Sequence, residues 1–94
     1  MLIEIFSIDC KILSGEIVSA IFPGSDGSFQ ILKEHAPIVS TLKKGQIIIE
    51  GEVSLEENTT LDLYEIKKDD KKTSLQIKSG LIEMKKNLIK VLIH

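Results

Sequence analysis

Apolar and polar residues alternate, or fall into short β-branched blocks, along the whole 94-residue chain. Residues 2–8 put Ile3 and Ile5 on one side of an extended strand and Leu2, Glu4, Phe6 and Ile8 on the other. Apolar side chains on both sides suit a sandwich, or a strand partly covered by a partner. Residues 11–13 form a short second strand before a turn at Ser14-Gly15. A third strand, residues 16–22, is broken by Pro23-Gly24. The polar loop from Ser25 to Ser28 leads into a fourth, residues 29–32, closed by the turn from Lys33 to Pro37. Residues 38–42 and 46–50 follow, and residues 52–55 continue the latter past a bulge at Gly51. Residues 61–66 and 73–77 flank the run KKDDKK, which predicts a hairpin whose charged tip guards a sheet edge. Residues 81–84 and 88–93 are the last strands, joined by a turn at Lys85-Lys86-Asn87. Turn signals every 8–12 residues or so predict an all-β fold, an about ten-stranded β-sandwich or flattened barrel. The chain reads as one domain over residues 1–94, with an enlarged hairpin region around residues 51–73.

Composition agrees. Sixteen Ile stand against two Ala, so stiff β-branched side chains dominate and the best helix former is nearly absent. Twelve Lys balance fourteen acids, and Arg is absent, which argues against a nucleic-acid binder. No apolar run approaches the ~20 residues needed to cross a bilayer, and no signal peptide is visible. A lone Cys10 suits a reducing compartment and reads as a small buried strand residue.

The sequence carries little chemistry. Ser25, Asp26 and His35 lack any nucleophile-elbow motif, and one Cys with two distant His supplies no metal-ligand spacing. The Gly24-Ser25-Asp26-Gly27 loop places an acid where a phosphate cradle needs a lysine. The expectation is therefore no catalytic residue, no cofactor and no metal. Such scaffolds act by binding, and the loops at residues 24–28 and 33–37 are candidate contact surfaces that a sandwich can bring together.

Several short motifs, in order and in register, resemble the N-terminal domain of the epsilon subunit of F-type ATP synthases, called delta in mitochondria. Leu13-Ser14-Gly15-Glu16-Ile17 stands at that family's F/L-S-G-x-V, and Pro23-Gly24-Ser25-Asp26-Gly27 at its P-G-S-E-G. His35-Ala36-Pro37-Ile38 resembles H-A-P-L, Leu42-Lys43-Lys44-Gly45 resembles L-K-P-G, and residues 79–84 resemble G-G-x-L-E-V. The family's Pro-Gly before its histidine is Lys33-Glu34 here.

The resemblance implies a non-catalytic subunit of the central stalk. Its role would be to clamp the gamma subunit to the c-ring and couple proton or sodium flow to ATP synthesis. It further implies a peripheral place on the cytoplasmic face of a bacterial inner membrane. Carried over by position, Asp26, Gly27, Ser28 and His35 would face the c-ring, and Ser7, His35 and Ser40 the gamma subunit. For His35 a plain turn-stabilising or contact role is the expectation, with a pH-sensitive ring contact as the alternative. Relatives continue into two inhibitory helices, and nothing up to His94 would form them. The expectation is a subunit that neither inhibits hydrolysis nor binds nucleotide. The competing reading is a free-standing β-sandwich adaptor.

Overall fold

The β-branched alternation becomes nine strands in a computed structural model that describes residues 1–56 and 64–94. They are β1 (Leu2–Phe6), β2 (Lys11–Gly24), β3 (Gly27–Leu32), β4 (Ile38–Leu42), β5 (Gly45–Leu55), β6 (Lys67–Asp69), β7 (Lys72–Ile77), β8 (Gly80–Lys85) and β9 (Leu88–Ile93). No helix occurs among the described residues. The strands run in the order β1-β9-β8-β4-β2-β5-β7-β6, with β3 added beside β2 and β1 also paired to β2. β2 lies along β1 near its start and meets β4 at Gly24, which pairs with Leu42. One strand thus touches both margins of the β1-β9-β8-β4 sheet, so the sheet is partly ringed without closing as a true barrel. The all-β sandwich read from the sequence is the fold found.

Its core is aliphatic. Ile3, Ile5, Leu13, Phe22, Ile31, Ile47, Ile49, Leu75, Ile82 and Ile89 are fully buried in one cluster. Each such side chain contributes about 1.5–3 kcal/mol relative to remaining in water. Phe22 and Phe29 pack as a tilted pair 5.7 Å apart between β2 and β3.

Several local readings need correction. Ser14-Gly15 is not a turn. Both residues lie inside β2, where Gly15 pairs with Ile3 on one side and Val53 on the other. A Cβ on Gly15 would collide with the Glu52 carbonyl oxygen, so the glycine serves a close backbone approach. The two strands expected over residues 11–22 are therefore one, and Pro23 continues it in register with Ser28. The irregularity expected at Gly51 falls across from it: Ile17 pairs with Gly51 and Ser19 with Glu50, leaving Val18 as the extra residue on β2. Cys10 is exposed in the β1–β2 turn and not buried in a strand. The charged hairpin exists, with Lys67–Asp69 itself as the short edge strand and Asp70-Lys71 as its two-residue tip. Of the strand expected over residues 61–66, residues 61–63 lie outside the described residues, and Tyr64-Glu65 form a turn ahead of buried Ile66 and not a strand.

Candidate interaction surface

Alternation along β1, β9, β8 and β4 sorts their side chains into two populations. The inner row Ile5-Val91-Ile82 is sealed in the core, with half-buried Ser40 at its β4 end. The next row, Phe6-Leu92-Leu81-Thr41, points outward. Leu81 and Leu92 are 45% and 43% exposed, against at most 1% for the inner neighbours Ile82, Val91 and Ile93, and Phe6 is half-buried beside them. These side chains, with Glu83, Lys90 and Val91, line a shallow depression of about 250 Å³. Val39 extends the apolar surface at its margin, 68% exposed, while Leu2, 50% exposed, lies past the charged row Glu4-Lys90-Glu83, level with Leu88 and Lys85. Lys11 borders it, paired with Glu4 at 3.1 Å and standing 5.8 Å above the Phe6 ring. A contiguous apolar patch of this kind marks an interaction site more often than a scattered exposed Leu does.

The residues expected from the sequence fall elsewhere. Asp26 sits in the two-residue loop between Gly24 and Gly27, at one end of β3, where the Ser25 and Thr41 hydroxyls share a hydrogen bond of 2.8 Å. Gly27 and Ser28 begin β3 beside it, and all three are exposed. His35 lies beyond the opposite end of the same strand. At about 3.3 Å per residue the two loops are roughly 17–20 Å apart, so the sandwich does not bring them together. The His35 ring nitrogen Nδ1 donates to the Ala36 carbonyl at 2.7 Å, leaving Nε2 toward solvent. The Ser7 hydroxyl accepts the Asp9 and Cys10 N–H groups, each at 3.3 Å, and so holds its own turn. The Ser40 hydroxyl donates to the Thr41 carbonyl at 3.1 Å.

One tie escapes any reading of local sequence. Asn87, in the β8–β9 turn, accepts the Glu34 N–H on its side-chain oxygen at 3.0 Å and the Leu2 N–H on its carbonyl at 2.9 Å. It thereby joins three segments remote in sequence. Glu34 adopts φ 64°, the left-handed conformation that glycine takes freely. Among the described residues no group of three or more His, Cys, Asp or Glu is placed to hold a metal ion. No helix there is long and apolar enough to cross a membrane.

Residues 1–94 as a whole match the family described as ATP synthase, Delta/Epsilon chain, beta-sandwich domain. The chain belongs to that family. The ATP synthase epsilon chain of Leptospira interrogans (strain Fiocruz L1-130) is 33% identical over 90 residues, covering 96% of this chain and 58% of the relative. The epsilon chain of Campylobacter jejuni strain 81-176 is 39% identical over 70 residues, 74% of this chain and 54% of its own length. The chain thus spans little more than half the length of these relatives. Among solved structures, a chain of the Tetrahymena thermophila mitochondrial ATP synthase central stalk/c-ring superposes with TM-score 0.65 at 9% identity. That match covers 99% of this chain and 62% of the other, and it shows the shared fold. Within this delta/epsilon domain, the outward apolar row is the surface that the motif-by-motif reading passed over. Its signal was present in the sequence: Leu88, Lys90 and Leu92 alternate with Ile89, Val91 and Ile93, leaving apolar side chains on both sides of β9.

Proposed function

We propose that this delta/epsilon domain is a non-catalytic part of an ATP synthase rotor, clamping the gamma subunit to the c-ring so that proton or sodium flow drives ATP synthesis. The observation that carries the reading is the outward row Phe6-Leu92-Leu81 on a rigid four-strand face. A stable protein contact needs about 800 Å² per partner, roughly a seventh of this chain's 5831 Å² surface, which one sheet face can supply. In this reading gamma covers that face. Ser7 lies at its margin, where it holds the β1–β2 turn, Ser40 faces the inner side of β4 beneath it, and His35 meets gamma from the far end. Asp26, Gly27 and Ser28, at the opposite end of β3, rest on the polar loops of the ring. The domain stays peripheral, on the cytoplasmic side of the membrane, through these protein contacts.

Co-expression with the gamma subunit of the same organism, followed by size-exclusion chromatography, tests this. The expected result is a one-to-one complex that survives dilution for the wild type and is lost for Leu92→Asp, whose side chain is already partly in water. Two folded proteins that elute apart would overturn the stalk reading and favour a free-standing adaptor.

A further inference from the structure

The outer face that carries the apolar row changes character along its strands. Toward the β8–β9 turn it becomes a second depression of about 390 Å³, lined by Lys85, Lys86, Lys90, Leu88 and Glu83. Three lysines against one carboxylate make this the basic end of a chain whose net charge is −2. The neighbouring acids leave it so. Glu4, in register with Lys90, pairs instead with Lys11; Glu83, directly opposite Lys90 on β8, and Glu34, whose N–H is held by Asn87, form no ion pair among the described residues. The turn that carries the charge is built tightly: Lys86 and Asn87 take φ 52° and 61°, and Asn87 is anchored to both Glu34 and Leu2. The lysine stems are therefore presented from a fixed base.

We propose that this groove receives an acidic segment of the same partner whose apolar segment covers Phe6, Leu81 and Leu92. The inference rests on the stalk reading and deepens it. The face is bipartite along its strands, apolar toward the β1–β2 turn and basic toward the β8–β9 turn, so it accepts its partner in one orientation. Continuity with the apolar row favours a protein over any other polyanion, because one occupant then satisfies both halves. The two halves also divide the work. Dry apolar contact holds the complex together, while the lysines steer its approach and reject the reversed pose.

Association kinetics of the purified chain with its own gamma subunit test the inference. For the wild type, the association rate falls steeply between about 50 mM and about 300 mM salt, as the screening length shortens from roughly 14 to 6 Å. Lys85→Glu/Lys86→Glu associates at least ~10-fold more slowly at low salt, with a flattened salt dependence and little change in dissociation. Lys85→Gln/Lys86→Gln falls between them, and unchanged unfolding midpoints show that both variants remain folded. A complex whose association rate and salt dependence ignore both variants would overturn this inference and leave the stalk reading standing. Absence of any wild-type complex would overturn both. Charge-dependent binding to phosphatidylglycerol-rich vesicles, without an effect on gamma, would assign the groove to a lipid surface instead and overturn it too.

Discussion

Leu81 and Ile82 are chain neighbours on β8, and they live in different solvents. Ile82 faces Ser40 and Val91 inside the core and is fully buried; Leu81 faces Thr41 and Leu92 across the outer surface and is 45% exposed. The two sides of β1, β9, β8 and β4 share backbone and hydrogen bonds, and both carry apolar side chains, yet only one is needed to hold the fold. Because successive side chains alternate between sides, a strand can meet two separate demands without compromise between them. The inner side specifies the sandwich. The outer side is free to specify a partner, and its apolar content is the residue left unexplained once folding has been accounted for.

Substitutions can break that division. Ile82→Ala should cost about 2–5 kcal/mol, the range for deleting a buried aliphatic group and leaving a cavity. Leu81→Ala should cost about 1 kcal/mol or less while weakening the gamma complex. Urea unfolding of the two side by side decides the matter, and equal losses would erase the distinction between the sides. Next in size, Gly15→Ala should lose about 1–3 kcal/mol, because backbone atoms of Glu52 and Val53 occupy the space a Cβ needs. Its unfolding midpoint checks this.

Thr73 sharpens the comparison from within. Its side chain is fully buried on β7, and its Oγ1 has no hydrogen-bond partner among the described residues. Thr73→Val keeps the shape, removes the unpaired hydroxyl and should raise stability by about 1 kcal/mol, measured by thermal or urea unfolding. The smallest effect is expected at Glu34, whose left-handed φ glycine adopts without strain. Glu34→Gly relieves about 1 kcal/mol of backbone strain and gives back part of it through a looser unfolded chain. The net gain of about 0.5 kcal/mol should appear as a small rise in melting temperature.

The strands were legible because hydrophobic alternation is a local property. Residues 81–84 and 88–93 were placed by it directly, and the two-sided apolar character of residues 2–8 pointed to a covered outer surface. Gly15 was misread because Ser-Gly is a turn signal only when nothing else needs the missing side chain, and here a neighbouring strand does. The candidate site was less legible than the fold. Asp26 and His35 stand nine positions apart in sequence, with a strand between them that carries them to opposite ends. Asn87 reads from the sequence as a turn residue, but its bond to Glu34 spans 53 positions and has no local signature. Glu34 itself shows why motif gaps mislead. It replaces the glycine of the family pattern and still takes the glycine-like conformation.

The pairing of β1 with β9 has a consequence in time. Leu2 lies beside Leu88, so the parallel ladder along one side of β1 joins the first strand to the last. On the ribosome, at about 5–20 residues per second, roughly 4–17 seconds separate the synthesis of the two strands. β2 is available far sooner on the other side of β1, through the short Ser7–Cys10 turn. Until β9 is made, Ile3 and Ile5 lack their neighbours Ile89 and Val91, so the parallel ladder can form only late. Topologies dominated by such distant pairings fold slowly for their size.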